Sequence, residues 1–324
     1  MDNKTIYSRT LGFSLRRVLW DLISIVLVIA LTALGFILGE KISEGGAIIG
    51  LIIGMIVGIV AAVLIARFIS YTLKAGQIAM MTRGVTEGEL PDDVIGEGKR
   101  TVKARFATVA AFFAITGAIK GIFNQIGRGI AKLGQSIGGD AGGAVGGAVS
   151  SAMQTVIAYL CDCCLGWVFY RSGVNAAKAA CEGAVLFFKH GKTFIKNMGR
   201  VFGMGLASFI VIGGIIGGIS YLLLSGHEEF YAQVAAQFTE AAASEGANAL
   251  VKLLADPAAV PVVFAAIAGI VMWGILHSTF IRPFVLVGVL RNYMASGIND
   301  VPTEESFAAL DAKSPRFRKL HSQI

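Results

Sequence analysis

Four uncharged apolar runs, Leu22 to Leu38, Gly46 to Ala66, Val201 to Gly226 and Pro257 to Ile281, constrain this chain more than anything else in it. Each approaches or exceeds the roughly 20 residues that a bilayer core requires. Inside lipid every backbone group must be satisfied internally, so a spanning run is a helix or part of a closed barrel. The runs are continuous rather than alternating, which selects helices. Composition agrees, because 55% of the 324 residues are hydrophobic and only 15% are charged, against about 25% charged in a soluble domain. The mean hydropathy is +0.71. The expectation is an all-α, polytopic integral membrane bundle.

Charge placement orients it. Lys4, Arg9, Arg16 and Arg17 precede the first run, which is long for the apolar part of a secretory signal and lacks a convincing cleavage site, so it reads as a retained helix. Lys74, Arg83, Lys99, Arg100, Lys103 and Arg105 follow the second run. The positive-inside rule puts both sets in the cytoplasm, with a tight external turn at Glu40 to Gly45. Lys189, Lys192, Lys196 and Arg200 precede the third run, and Arg282, Arg291, Lys313, Arg316, Arg318 and Lys319 follow the fourth. The segment between these two runs holds Glu228, Glu229, Glu240, Glu245 and Asp256 against Lys252, and belongs outside. Both termini are then cytoplasmic. The net charge of +7 is spread beside apolar runs rather than gathered in a basic domain, which argues against a nucleic-acid partner.

The domain organisation follows: a two-span hairpin over 1–75, a cytoplasmic loop over 76–105, glycine-rich amphipathic or imperfectly spanning helices over 106–200, two spans with an external helical cap (225–256) over 201–295, and a polar, partly disordered tail over 296–324. Gly96-Glu-Gly-Lys-Arg-Thr fails the phosphate-loop pattern, because Asp93 stands where the first glycine belongs and Arg100 follows Lys99. Ile115, Ile119, Ile122, Ile126, Ile130, Leu133 and Ile137 recur at helical spacing as an amphipathic stripe. The stretch Ala141 to Tyr170 carries a single charge, Asp162, read as a boundary carboxylate. Charge parity allows two crossings or none over 106–170; two imperfect crossings are favoured, giving six membrane helices. Val174 to Met198 is amphipathic, with Lys178, Glu182, Lys189, Lys192 and Lys196 on a polar side expected to lie along the inner leaflet. Phe230, Val234, Phe238 and Ala241 line one face of the external cap.

Gly46, Gly50, Gly54 and Gly58 form a glycine zipper continued by Ala62 and Ala66, and Gly134, Gly138, Gly142 and Gly146 repeat it. Lipid gives helices no hydrophobic reason to associate, so small-residue faces that let backbones approach become a principal adhesive. Packing within one chain, contact between copies in a homo-oligomer and a pore-lining face all fit. Cys161-Asp-Cys-Cys164 with Cys181 crowds its thiols and has no histidine nearby, which points to reduced cysteines rather than a metal site. The histidines at 190, 227, 277 and 321 show no ligand spacing, and no catalytic triad pattern is apparent; neither an enzymatic activity nor a cofactor is expected. Trp167, Tyr170, Tyr221 and Trp273 suit either interfacial belts or an aromatic cage for a quaternary ammonium solute.

Cys161-Asp-Cys-Cys-Leu-Gly-Trp, then Asn175-Ala, Phe194 and Asn197-Met-Gly-Arg-Val201 before an apolar helix, resembles the C-terminal part of the choline transporter-like family. The tail, with an apolar continuation from Phe284 to Tyr293 and a polar end, is similar in kind. The chain is shorter than members of that family. The resemblance implies movement of choline or ethanolamine; the residues alone leave a conduit for a small solute and a non-catalytic membrane scaffold as the two classes of function.

Overall fold

The computed structural model describes residues 1–43, 46–65, 69, 71–106, 109–138, 142–244, 246 and 248–324, with side chains excluded at 48, 109, 126–138, 142–153, 191–202 and 241. Every regular element among them is helical. The helices are α1 (Asn3–Ile42), α2 (Gly46–Ile65), α3 (Tyr71–Thr86), α4 (Val94–Arg105), α5 (Val109–Gly138), α6 (Gly142–Tyr170) and α7 (Ala176–Ser208). They continue with α8 (Gly214–Leu224), α9 (Glu228–Ala242), α10 (Ala249–Leu254), α11 (Val260–Leu276), α12 (Arg282–Asn299), α13 (Glu304–Lys313) and α14 (Pro315–His321). The chain divides into one unit of Met1–Gly199 with Arg282–Ile324 and another of Arg200–Ile281. Among the described residues three helical stretches, Asn3–Ile42, Gly203–Leu224 and Val260–Asn299, are long and apolar enough to cross a membrane. A fourth arises if α4 and Ala110–Gln125, which differ in direction by 84°, count as one broken span. Ile49–Ile65 and Gln154–Tyr170 are apolar but shorter.

In the first unit α1 and α2 pair antiparallel, with Gly35 facing Gly50 and Gly54, Gly39 facing Gly46 and Gly50, and Leu31 and Val28 facing Gly54 and Gly58. Those glycines leave no room for a methyl group: a Cβ at Gly54 would run into the Leu31 carbonyl oxygen, with Leu31 C at 3.1 Å and Gly35 Cα at 3.2 Å. The partners Gly35 and Gly39 were not part of the sequence pattern. Glu44 and Gly45 of the expected external turn, and the continuation at Ala66, lie outside the described residues, as does the packing at Gly134, Gly138, Gly142 and Gly146.

The segment expected as a cytoplasmic loop over 76–105 is mostly two helices. α3 is enclosed along most of its length, with Leu73, Ala75 to Thr82 and Gly84 all buried. Gln77 Nε2 donates to Ser14 Oγ at 2.9 Å and to the Thr10 carbonyl at 3.3 Å, which fixes α3 against α1 without an unsatisfied amide. Gly76 and Gly98 let α3 and α4 approach, since a Cβ on Gly98 would sit 3.0 Å from the Gly76 carbonyl oxygen. The turn is confined to Glu87–Asp93, where Gly88 takes φ +79° and Asp93 Oδ1 accepts from Gly96 N at 2.8 Å to start α4.

Further differences have the same cause, polar residues that turn inward. Glu182 is 3% exposed rather than on the polar side of α7; it pairs with Arg171 Nε at 2.9 Å and accepts from Trp167 Nε1 at 3.1 Å. The tail folds into α13 and α14, burying Phe307, Leu310, Phe317 and Leu320. Ser314 Oγ caps α14 by accepting from Phe317 N at 3.1 Å and donates to Gln125 Oε1 at 3.0 Å on α5. Ile119 and Ile122 of the isoleucine stripe are buried; Ile126 and beyond lie outside the described side chains.

In the second unit α8 packs on α11, where a Cβ at Gly269 would meet the Gly213 carbonyl oxygen at 2.7 Å and Gly217 Cα at 3.1 Å. α9 buries Tyr231 and Ala235 against Val260, with Leu224, Val234 and Phe264 around them. Phe230 is 52% exposed, so the inward face of α9 is rotated from the expected Phe230–Phe238 line. The rotation lets the Tyr231 hydroxyl donate to the Leu224 carbonyl at 2.6 Å.

Candidate functional site

Asp162, the single charge of an apolar helical stretch, is 4% exposed and enclosed by protein. Lys74 of α3 places Nζ 2.6 Å from one carboxylate oxygen, and Arg282 at the start of α12 places Nη2 2.6 Å from the other. The same Arg282 nitrogen donates to the Ala158 carbonyl at 3.1 Å, and its guanidinium lies 5.5 Å from the centre of the Tyr159 ring. Arg17 of α1 completes the cluster electrostatically, close enough to feel the charges of Asp21, Arg282 and Asp162. Among the described residues the buried Nε atoms of Arg17 and Arg282 have no hydrogen-bond partner. Three cations (Arg17, Lys74, Arg282) therefore face two carboxylates (Asp162, Asp21), which leaves the cluster positive.

A cavity of about 390 Å³ opens beside this cluster. Tyr71, Phe112 and Phe113 wall it, Lys74, Lys120, Thr116, Cys161 and Asp162 supply its polar atoms, and Gly117 leaves part of the wall bare. The rings are locked together: Tyr71 and Phe112 have centroids 3.8 Å apart, and Tyr71 and Phe113 4.8 Å. Small-molecule sites commonly measure about 300–1,000 Å³ with apolar walls and a few converging polar groups, and this cavity fits both descriptions.

The aromatic residues singled out in the sequence divide between the units. Trp167 and Tyr170 have ring centroids 5.3 Å apart. Trp167 is fully buried, its indole N–H donates to Glu182 and its ring packs beneath Gly297, so neither a free face nor a free donor is left for a ligand. In the other unit Tyr221 is 43% exposed on α8. Trp273 Nε1 there donates to Ser208 Oγ at 3.1 Å, with Phe209 edge-on and His277 tilted against it. Ser208 Oγ is also 3.1 Å from His277 Nδ1, and this polar knot sits where α7 and α11 each pass into a π-helical turn, Phe209–Gly213 and His277–Ile281.

The cysteines are free thiols. Cys164 Sγ donates to the Ala180 carbonyl at 3.4 Å, tying α6 to α7. Burial pushes the Cys181 thiol up to about 12, and the nearby Asp311 and Glu182 push the same way. It is therefore neutral at physiological pH and a poor nucleophile.

No family model matches the chain, and neither the curated proteins nor the solved structures contain a match. Lys74 in the cavity wall and Arg282 behind it stand in the sequence only as flanking charge. The signal that locates them is Asp162 itself, since a lone carboxylate in an apolar helix needs cations, and the basic residues closing the adjacent runs are the ones within reach.

Proposed function

We propose that this chain is a multi-pass membrane protein, both termini cytoplasmic, that binds a small solute in the cavity beside Asp162 and conducts it across the bilayer. The observation that carries the reading is a solute-sized cavity bordered by a buried, doubly paired carboxylate. Intramembrane ionisable groups are expensive and commonly mark a substrate path. The resemblance to the choline transporter-like family places choline and ethanolamine among the solutes to try.

Gly117→Trp tests it directly, because Gly117 lines the cavity and no atom lies within 4 Å of a Cβ built there, which gives the indole room to enter it. Proteoliposomes carrying the wild-type protein are expected to take up at least one member of a panel of labelled amines and small organic anions with saturation, and the Gly117→Trp protein to fall to the protein-free rate at unchanged helicity. Uptake that Gly117→Trp leaves intact would remove the cavity from the path.

The scaffold reading has its own support in the long exposed apolar faces of α1, α2, α8 and the π-helical turn before α8, where Ile29, Ile49, Leu222 and Ile210 are each more than 60% exposed. A bilayer covers such faces, and so does a second copy. Absence of uptake across the whole panel, with a stable homo-oligomer in mild detergent, would favour the scaffold.

The orientation is tested separately. A cysteine introduced at Ser244, between α9 and α10, is expected to react with a membrane-impermeant maleimide on intact cells. Reaction only after permeabilisation reverses the topology.

A further inference from the structure

We infer that the cavity selects a solute with an anionic head, phosphate or carboxylate, on a compact apolar body. This rests on the reading of the cavity as the solute site and names the class of its occupant. Both oxygens of Asp162, the only carboxylate in the lining among the described residues, are engaged at 2.6 Å by Lys74 and Arg282. A cationic guest would find that carboxylate's charge already matched by two cations. Lys74 spends one of its N–H groups on Asp162 and keeps the others, with 35% of its side chain exposed. Lys120, on the same wall, is close enough to act on Cys161 and makes no salt bridge among the described residues. Behind Asp162 stand Arg282 and Arg17, which add to the positive field. The remaining wall is Tyr71, Phe112, Phe113, Ile119 and Leu165, against which a flat apolar body stacks.

Aromatic walls alone would suit a quaternary ammonium. In this cavity a third ammonium would face Lys74 and Lys120 at close range with the lining's described carboxylate already paired, and like charges in a partly dry site repel strongly. An anion reverses both terms. It gains charge-assisted hydrogen bonds from two lysines, shorter and stronger than neutral ones. The head can belong to a membrane lipid or to a dissolved solute, and both sources offer the same chemistry.

The test uses the full chain in nanodiscs of neutral phosphatidylcholine and a matched set of probes: phenyl phosphate, benzyl alcohol and benzyltrimethylammonium. Titration calorimetry is expected to rank phenyl phosphate at least about tenfold tighter than the other two. Lys120→Gln, a change at an exposed lysine, is expected to weaken phenyl phosphate by about tenfold, which corresponds to the loss of about 1.4 kcal/mol. It should leave benzyl alcohol unaffected. Phe113→Ala should weaken every probe. Discs doped with phosphatidic acid separate the sources: loss of phenyl phosphate binding supports a lipid head in the site, and retained binding supports a dissolved anion. Tighter binding of benzyltrimethylammonium, still sensitive to Phe113→Ala, would overturn the anionic assignment and leave the solute site standing. Binding of every probe that ignores both Lys120→Gln and Phe113→Ala, or no binding at all, would overturn the assignment and the site together.

Discussion

Asp162→Leu is expected to lower the stability of the folded protein by about 3–5 kcal/mol, because removing one partner of a buried ion pair strands the others without counter-charge. Here two cations are stranded at once: Lys74 Nζ and Arg282 Nη2 each lose a contact of 2.6 Å. Arg17 and Arg282 already carry buried Nε atoms without acceptors among the described residues, so the local repulsion has nowhere to discharge. The thermal midpoint in detergent should fall by on the order of 10 °C. The companion variant carries Asp162→Leu together with Lys74→Met and Arg282→Met. Replacing buried ion-paired residues together by apolar ones of similar volume is commonly neutral or stabilising, and Arg17 keeps Asp21 as counter-charge, so this triple variant should regain most of the lost midpoint. It should also lose solute binding, since the polar border of the cavity goes with it. A single variant that melts like the wild type would show that the three charges are solvated and exert no structural hold, and a triple variant that melts below the single one would place the damage in packing rather than charge.

How this cluster escapes a reading by hydropathy explains much of what the sequence does and does not disclose. The apolar runs name α1, α8 and α11 because a helix bathed in lipid needs no pattern finer than the absence of charge. The same criterion is blind to α3, which mixes Lys74, Gln77 and Arg83 with apolar residues and is nevertheless buried along most of its length. Its polar groups are satisfied by other chain segments rather than by water: Gln77 by Thr10 and Ser14, Lys74 by Asp162. Glu182 misleads for the same reason, since its place on a helical wheel puts it with the lysines of α7 while Trp167 and Arg171 hold it inside. Composition says which residues tolerate lipid; it does not say which polar residues have found partners. The aromatic residues err in the opposite sense. Trp167 and Tyr170 lie near one another, yet the rings that wall the cavity are Tyr71, Phe112 and Phe113, on the hairpin's edge and on a helix expected to be amphipathic or imperfectly spanning.

The close α1–α2 contact carries the other large expected effect. Gly54→Leu should destabilise the hairpin by about 1–3 kcal/mol or more, the usual cost of overpacking a tight interface, because the added side chain starts inside the Leu31 carbonyl and has backbone rather than a movable side chain in its way. Gly50→Leu should do the same against Gly35 and Gly39. Ala47→Leu is the control: Ala47 is half-buried and stands off the groove lined by Gly46, Gly50, Gly54 and Val57. Its effect should stay within about 0.5 kcal/mol, as for surface changes away from special features. In this geometry the glycines of α2 are already occupied by α1 of the same chain. Gly54→Leu is therefore expected to lower the thermal midpoint while the particle size in mild detergent stays unchanged. A smaller particle at an unchanged midpoint would mean that the glycine face joins copies of the chain instead. If Gly54→Leu and Ala47→Leu melt alike and leave the same particle, α1 and α2 do not hold together through these glycines.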